Sequence, residues 1–506
     1  MIKRLLILLI LLVAVPCSGD SIYIDPDCTY SGDGTTTTCG AAAAQGPFKS
    51  WIDAETAGFS ASHDYYQKCA TTDTITAPID VVSLTGSSGD RITFGAYYGS
   101  GTIGVSGAKP IIVRSGTSGS VFDFNASTYV FLTNLDLRGG DQSMYVDNGS
   151  DNFRMTNCVV GYDAGFGVRI LASDDGEIYN NIIDSNNAVD SHNGIEIGSV
   201  SSGYAGNGWS IYQNKFYSWS HTHMLIGAYS SNNEVYYNYG DGTDCTSNAC
   251  RGFSVWGANS GNVIRHNYWY NYNQHSQLLQ ASNVTVYGNV FDTIRDPAEE
   301  ALDLSVQSST SVTGNKIYNN TFYNLDDSLA RCIRLYVNTG FSGNVYGNEI
   351  INNVCLNYVD SGVRSRVAAT ATGDIYGNTF RNNIYYLSGE TQVADWKSAD
   401  LNITEWNAIN GTDTMTIIGE LNADPSLSNP AGGDFWPSSS ASAVYQAGYD
   451  VGAPYDTLLL STSDFTASPP SVLTDQFAND YIGAYGLVGA AKSYPFQGTA
   501  GNFKLN

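Results

Sequence analysis

The chain has 506 residues, of which only 14% are Asp, Glu, Lys or Arg, and its formal net charge is −25 at neutral pH. Binding along a nucleic-acid backbone requires many Lys and Arg side chains, so this charge argues strongly against a nucleic-acid partner. It also opposes general attraction to acidic polymers, although a local basic strip can overcome it because salt screens charges beyond about 8–10 Å. The 53 glycines and 35 tyrosines suit turns and strands better than helices.

The first twenty residues have the pattern of an export signal. A basic pair at residues 3–4 precedes an unbroken apolar run at residues 5–15, which is shorter than the ~20 residues of a membrane-spanning helix. We expect cleavage within residues 16–19 and a secreted or cell-surface protein. A lipid anchor at Cys17 is less favoured, because the preceding proline fits a lipidation motif poorly. No later segment is long and apolar enough for a transmembrane helix.

Eight cysteines remain once residues 1–19 are removed, and an even number in an exported protein permits disulfides. Cys28 with Cys39 and Cys245 with Cys250 are the pairs closest in sequence and the expected local disulfides. The sequence contains no Cys-x-x-Cys pair, so a cysteine-based zinc site is not expected.

A short repeat runs through the middle of the chain. It places a β-branched residue three positions before an Asn, as in GEIYNN (176–181), WSIYQN (209–214), NEVYYN (233–238), NVIRHN (262–267), VTVYGN (284–289), NKIYNN (315–320), GNVYGN (343–348) and GDIYGN (373–378), and less regularly in 129–134 and 152–157. Successive copies are 22 to 33 residues apart. Insertions into loops produce such variable spacing, which excludes a helical solenoid with a fixed period of about 34 residues.

Each repeat is typical of a short strand, a turn and a second short strand, with apolar and polar residues alternating. Ordinary parallel sheets are covered on both faces and are continuously apolar, unlike these strands. One coil cannot bury its own inner face, so neighbouring coils must stack into a solenoid of parallel strands. The repeated Asn is expected to form a structural ladder of side-chain amides at a turn.

Three segments resemble known elements of the right-handed parallel β-helix proteins of the pectate-lyase-like superfamily. Residues 21–54 resemble their opening strand, Asp/Gly loop and capping helix, residues 90–113 their first coil, and residues 422–448 with 481–486 their closing segment. The resemblance covers nearly the whole mature chain. It implies an all-β fold, a right-handed parallel β-helix solenoid of about ten or more coils with an N-terminal cap and a C-terminal closing segment.

The segments that follow from this resemblance are a signal peptide at 1–19, the N-terminal cap and first strands at 20–115, β-helix coils at 116–390 and the closing segment at 391–506. The fold carries lyases, hydrolases, epimerases and phage tailspikes, so function must be argued from the site. We expect a monomer, with a trimer as the alternative.

The second apolar run of each repeat provides a register for the candidate site. Counting back from the first apolar residue of each run places polar side chains in one strip: His192, His221, His275 and Glu299 in one column, with Arg251, Glu300, Arg331 and His223 beside it. Coils stack at about 4.8 Å, so the strip is long enough to contact several sugar units. Trp256 and Trp269 lie nearby and offer aromatic faces for sugar rings.

The favoured partner is therefore a polysaccharide, and the favoured reaction is β-elimination of an acidic, uronate-containing glycan. This reaction needs a cation on the carboxylate, a base for the C5 proton and an acid for the leaving oxygen. Arg251 is predicted to neutralise the carboxylate, and His221 or His275 to act as the base. The predicted substrate-binding residues are His192, His223, Arg331, Trp256 and Trp269. The same groups also suit C5 epimerisation.

Alternatives remain open. A glycoside hydrolase on the same scaffold would need two carboxyls about 5–5.5 Å or 6.5–9.5 Å apart, and the segment RDPAEEALDLS (295–305) supplies carboxyls. Glu299, Glu300 and Asp303 are also the predicted ligands of Ca²⁺, which prefers several oxygens and which lyases of this superfamily commonly use. A zinc site at His221 and His223 is less favoured. A non-catalytic glycan-binding or adhesin-like surface protein is the third reading.

Overall fold

The computed structural model describes residues 20–42, 45–162, 164–185, 193–199, 202–219, 221–245, 250–257, 260–274, 276–295, 300–323, 331–358, 361–387, 389, 391–432, 434–438, 442–444, 448–449, 451, 458–459 and 472–473. The predicted signal peptide lies outside these residues. In the described part of the chain, no helix has the length and apolar character that crossing a membrane requires.

Three long sheets, in which nearly all neighbouring strands are parallel, form the body of the protein. The first sheet consists of Asp20–Ile24, His63–Lys68, Ile92–Tyr98, Thr102–Ile103, Val130–Thr133, Arg154–Thr156, Glu177–Tyr179, Ser210–Tyr212, Glu234–Tyr236, Val263–Arg265, Thr285–Tyr287, Lys316–Tyr318, Glu349–Ile351, Thr379–Arg381 and Thr416–Ile418. The second sheet consists of Thr72–Ile75, Ile111–Arg114, Asp136–Gly139, Val159–Tyr162, Ile182–Asp184, Lys215–Tyr217, Tyr239–Asp241, Tyr268–Tyr272, Val290–Ile294, Thr321–Tyr323, Val354–Leu356 and Ile384–Tyr386.

The third sheet consists of Ile79–Val82, Ser120–Asn125, Gln142–Asp147, Phe166–Ile170, Asn193–Ile197, Thr222–Ile226, Arg251–Trp256, Ser276–Leu279, Glu300–Val306, Arg331–Val337, Val363–Val367, Gln392–Trp396 and Ala399–Asn402. Only its last strand pairs antiparallel, so the sheet stacks twelve parallel strands. The chain visits the three sheets in turn, one strand per coil, which confirms the predicted parallel β-helix of ten or more coils. All three sheets begin before residue 116, and the first and third continue beyond residue 390.

Smaller elements complete the fold. The α-helices are Trp51–Ala57 and Ile403–Ala408, and short 3-10 helices occur at Ser202–Tyr204, Thr412–Thr414 and Pro430–Gly432. A fourth sheet joins Val312–Thr313, Val345–Tyr346 and Ile375–Tyr376, and two hairpins pair Leu427–Asn429 with Asp434–Pro437 and Leu458–Leu459 with Val472–Leu473.

The core fills the interior of the coils. In the first sheet Ile211, Val235 and Ile264 stand directly above one another and have no exposed surface. The two α-helices close the ends: Trp51 packs on the first coils against Phe94, and Trp406 of the second helix packs against Phe380. Every second side chain along each strand faces this core, so apolar and polar residues alternate in the strand sequences.

A ladder of asparagine amides runs along one corner of the solenoid, as predicted. Asn238 shows the pattern: its Nδ2 donates to Ile211 O at 2.9 Å and to Asn267 Oδ1 at 3.0 Å, and its backbone N donates to the same Oδ1 at 2.9 Å. The buried ladder contains Asn181, Asn214, Asn238, Asn267, Asn289, Asn320, Asn353 and Asn383. These amides satisfy backbone groups at the corner, so they are structural.

A second ladder corrects the predicted repeat. Asn348 and Asn378 donate along a different corner, where Asn315 precedes them. The residue before a ladder Asn has a positive φ at both corners, as at Asn319 (53°) and Gly347 (64°). Both corners therefore produce the same β-branched-x-x-Asn pattern. The Asn residues of two different corners were accordingly assigned to a single repeat from the sequence. Asn134 and Asn157 of the irregular early copies pair with each other at the surface and lie on neither ladder.

Two of the predictions on cysteines are confirmed. Disulfides join Cys28 to Cys39 and Cys245 to Cys250, with Cα–Cα distances of 5.4 and 6.0 Å. The described cysteines that are free are all buried: Cys69, Cys158, Cys332 and Cys355.

The closing segment folds back over the outside of the coils. Phe435 and Val444 pack on the outer face of the second sheet, against residues such as Tyr323. Val451 packs on the outer face of the first sheet, where Tyr449 also exchanges two backbone hydrogen bonds with the Asn352 amide. The described parts of the closing segment thus occupy the outer faces of two sheets, and the outer face of the third carries the polar side chains considered next.

Candidate functional site

One column of outward-facing side chains follows the third sheet along its whole length. Each member pairs in register with the next: Asp80, Asp123, Tyr145, Arg169, Glu196, Leu225, Ser254, Gln277, Asp303, Arg334, Arg364 and Asp395. Nine of these twelve residues are Asp, Glu, Gln or Arg, and the other three are Tyr145, Leu225 and Ser254. We call this column the outer strip. Glu196, Leu225, Ser254, Gln277 and Asp303 in its middle are buried, whereas Arg169 and Arg334 are partly exposed and accessible to a ligand lying across the coils.

His221 lies beside the outer strip, just before the strand Thr222–Ile226, and is partly exposed. Its Nδ1 is 2.9 Å from Asn193 Oδ1 and 3.2 Å from Thr222 Oγ1. The Asn193 amide nitrogen donates to Glu196 Oε2 at 2.8 Å, and Glu196 in turn pairs with Arg169 at 3.4 Å. The imidazole is therefore held by side chains of the preceding coil.

Arg251 and Trp256 are the neighbours of His221 on the next coil. The Arg251 backbone N donates to His221 O at 2.7 Å, and its guanidinium Nε donates to Gln274 Oε1 at 2.6 Å. The Trp256 ring stands edge-on to the imidazole with the ring centres 6.1 Å apart. Both side chains are partly exposed. The structure thus brings together three predicted site residues: His221 supplies an imidazole, Arg251 a permanent cation and Trp256 an aromatic ring.

Further along the same face, two carboxylates and two guanidiniums form a network. Arg334 contacts Asp303 through two hydrogen bonds of 2.9 and 3.0 Å and Glu300 at 2.9 Å. Arg331 adds a contact to Glu300 at 3.4 Å. Glu300 and Asp303 are fully buried and Arg331 nearly so. The predicted calcium ligands are therefore neutralised by arginine, and a cation at this position would have to compete with Arg334.

Two predicted substrate-binding residues point inward instead. His223 has no exposed surface, contacts the Tyr272 hydroxyl through Nδ1 and stacks near Phe216. Burial lowers the pKa of His223 to about 3, so this imidazole is neutral at physiological pH. Trp269 is likewise fully buried, next to Phe253. Neither side chain can touch a ligand on the outer face, which corrects both predicted roles and removes His223 from the predicted zinc pair with His221.

The predicted register is correct on some coils and wrong on one. Glu300 pairs with Arg331, and Met224 with Phe253, as the alignment of the apolar runs requires. The coil that contains the strand Ser276–Leu279 is out of register: Phe253 pairs with Ser276, whereas the alignment had matched Phe253 to Leu278. A slip of two residues keeps the same side chains inward, so the apolar pattern did not detect it. His192, His275 and Glu299 lie outside the described residues.

Sequence reasoning missed the groups that hold His221 and Arg251. Asn193, Glu196 and Gln274 are nearly buried, and each acts across two adjacent coils. Glu196 belongs to an apolar run that was used only to set the register. The available signal was its position, a carboxylate between two isoleucines on an otherwise apolar strand.

Comparisons with known proteins agree with this architecture. A family model described as a right handed beta helix region matches residues 193–371. No curated protein matches the chain. Solved structures with a similar arrangement include the catalytic domain of a GH87 α-1,3-glucanase in complex with nigerose (13% identity, TM-score 0.46, 71% of this chain and 64% of that chain).

Two further solved structures are similar at the same level. They are an alginate lyase from Paenibacillus sp. str. FPU-7 (11% identity, TM-score 0.38, 65% of this chain and 97% of that chain) and a rhamnogalacturonan lyase (15% identity, TM-score 0.39, 66% and 87%). These likenesses concern the fold alone. The chain is a solenoid of stacked parallel coils with the fold of a right-handed parallel β-helix.

Proposed function

We propose that the protein is an exported enzyme that cleaves an acidic polysaccharide by β-elimination on the outer face of its third sheet. The observation that carries this proposal is the grouping of His221, Arg251 and Trp256 on adjacent coils at the outer face of the third sheet, whereas the described parts of the closing segment pack on the outer faces of the other two sheets. A polymer lying along the solenoid would meet the same face repeatedly, once per coil, at intervals of about 4.8 Å.

Each group has a distinct part in the reaction. The Arg251 guanidinium pairs with the uronate carboxylate and stabilises the negative charge that develops when the α-proton leaves. His221 takes the C5 proton, because a neutral imidazole is a competent base near neutral pH. The C4–O bond then breaks, a C4–C5 double bond forms, and the leaving oxygen takes up a proton. Trp256 offers an aromatic surface beside the reacting ring.

Local charge explains how a chain of net charge −25 can accept an anionic polymer. Arg251 donates to the neutral amide of Gln274, whereas Arg334 is neutralised by two carboxylates. Because Arg251 is partly exposed on the outer face of the third sheet, an anionic ligand can approach its guanidinium. Calcium at Glu300 and Asp303 stays a prediction, and its test is a chelator.

The proposal is tested by incubating the purified protein with alginate, pectate and glycosaminoglycans, with calcium or with EDTA. New unsaturated ends, seen as ultraviolet absorbance, are expected from at least one uronate polymer. New reducing ends without absorbance would show hydrolysis, and binding without either would show a non-catalytic glycan-binding protein; both results contradict the proposal.

Variants then locate the reaction. His221→Gln is expected to lower kcat by about 10²-fold or more, because general-base catalysis contributes at least that much. His63→Gln is the matched control, since His63 lies on the first sheet, and it should retain full activity. Arg251→Lys keeps the charge but loses the planar donor pair, so it should raise KM for uronate polymers. Full activity of the His221 variant would place the site elsewhere.

A further inference from the structure

We infer that Glu196 and Asn193 are positioning residues that fix the tautomer of His221, so that Nε2 is the atom that accepts the substrate proton. The inference rests on the proposed function for its catalytic part, whereas the tautomer itself is a property of the free protein. It concerns a chain of hydrogen bonds from Arg169 through Glu196 and Asn193 to His221.

The direction of each bond follows from the donors available. A carboxylate can only accept, so the Asn193 side chain must turn its NH₂ group to Glu196, at 2.8 Å. The amide oxygen then faces His221, at 2.9 Å, and an amide oxygen also can only accept. The proton of the neutral imidazole is thereby drawn to Nδ1, and the lone pair is left on Nε2.

Burial makes this orientation costly to reverse. Glu196 is 7% exposed and Asn193 5% exposed, so turning the amide would set its oxygen against a shielded carboxylate and take from that carboxylate the donor at 2.8 Å. Arg169 pairs with the other oxygen of Glu196, at 3.4 Å. Thr222 Oγ1, at 3.2 Å from Nδ1, is a hydroxyl and can serve either tautomer. The selection therefore comes from Glu196 through Asn193 rather than from Thr222.

The direct test is nitrogen NMR of the imidazoles in protein labelled with ¹⁵N-histidine. The chain has six histidines, and the His221 signals are those lost in His221→Gln. The wild type is expected to show protonated Nδ1 and unprotonated Nε2 above the pH at which His221 titrates. Glu196→Gln can offer Asn193 either an oxygen or an NH₂ group, so the Nε2-protonated form should grow. Thr222→Val, the matched control, should leave the wild-type tautomer in place.

A rescue separates positioning from mere folding. The double variant Glu196→Gln with Asn193→Asp has its carboxylate at position 193, next to His221. This carboxylate accepts directly from His221 Nδ1, so the Nδ1-protonated form should return. With an active substrate, kcat should fall about tenfold to a hundredfold in Glu196→Gln, less than on removal of the base itself, with KM nearly unchanged, and should recover in the double variant. Circular dichroism checks that each variant folds.

The outcomes are distinguishable. A wild-type His221 protonated on Nε2, or a tautomer that Glu196→Gln leaves unchanged, overturns the inference whether or not the protein cleaves any polymer. If Glu196→Gln does not fold, the double variant and Thr222→Val still decide, because loss of the Nδ1-protonated form in Thr222→Val would assign the selection to Thr222. Absence of polysaccharide cleavage with the expected tautomers would defeat the proposed function and leave the hydrogen-bond chain intact.

Discussion

The substitution Glu420→Gln gives the sharpest test of how the solenoid ends. Glu420 stands where the next asparagine of the ladder would be, and its Oε1 accepts from the backbone N and from Nδ2 of Asn383, both at 3.0 Å. Its Oε2 accepts from the Tyr385 hydroxyl at 2.6 Å and from Trp406 Nε1 at 3.4 Å. Burial nevertheless raises the pKa of this carboxyl from the ordinary 4.5 to about 7.

The sign and size of the effect follow from that pKa. Because the pKa is higher in the folded than in the unfolded protein, the folded state binds the proton more tightly, and the contribution to stability is complete below pH 4.5. It is lost as pH rises through about 7. At about 1.4 kcal/mol for each pH unit, the free energy of unfolding should fall by about 3 kcal/mol between pH 4.5 and 8 through this group alone. Glutamine cannot ionise, so the variant lacks this slope.

The measurement is the denaturant midpoint of wild type and Glu420→Gln at pH 5, 6, 7 and 8, followed by circular dichroism. The free energy of unfolding of the variant minus that of the wild type should rise by about 2.5 kcal/mol from pH 5 to 8. Burial also raises the pKa of Asp123 and of Asp292 to about 6, but both titrate in the two proteins and cancel in the difference. A difference that stays constant within about 1 kcal/mol would refute the reasoning.

Three further predictions concern packing and charge. Asn267→Ala leaves the buried backbone N of Asn238 without its acceptor and removes one of the acceptors of Asn238 Nδ2, so it should cost about 1–3 kcal/mol in thermal or urea unfolding, whereas Asn429→Ala on an exposed strand should cost under about 0.5 kcal/mol; equal effects would deny the ladder its role. Trp269→Ala should lose about 3–5 kcal/mol of stability as a core truncation, while Trp256→Ala should chiefly raise KM, and a stability loss of the same size in both would contradict their opposite placement. Arg334→Ala removes both contacts to the buried carboxylate of Asp303 and one cation contact of Glu300, which keeps its contact with Arg331, and should lower stability by about 3–5 kcal/mol; a loss below about 1 kcal/mol would show that these ion pairs contribute little.

Much of the architecture was predictable because a solenoid repeats its local instructions. Alternating apolar positions, a corner residue with positive φ and an Asn amide recur in almost every coil, so the stacked parallel strands and the ladder followed from the pattern, whereas the right-handed β-helix and its ten or more coils followed from the resemblance to the pectate-lyase-like superfamily. The disulfides Cys28–Cys39 and Cys245–Cys250 followed from nearness in sequence. These features depend on the backbone and on neighbours a few residues away.

The site was less predictable because its contacts join different coils. In the segment YWYNY (268–272) alternation permits either Trp269 or its tyrosine neighbours to face inward, and the structure buries Trp269. The bond between Asn193 and His221 spans 28 residues, and its geometry depends on loops whose lengths vary. A register that slips by two residues keeps the apolar pattern while it moves every polar partner by one pair, as the match of Phe253 with Ser276 shows.

The asparagine ladder also gives the molecule a direction. Between ladder members, each Asn donates to the amide oxygen of the following coil, and its own amide oxygen accepts from the preceding coil. The two ends of the stack are therefore chemically different, and the end nearer the C-terminus presents donors that need an acceptor. Glu420 is that acceptor. A chain cut after any earlier coil would expose the same unmet donors together with open sheet edges, which is the state in which coils of separate molecules join end to end. Changes in length that preserve solubility must therefore insert or remove whole coils ahead of the segment that carries Glu420.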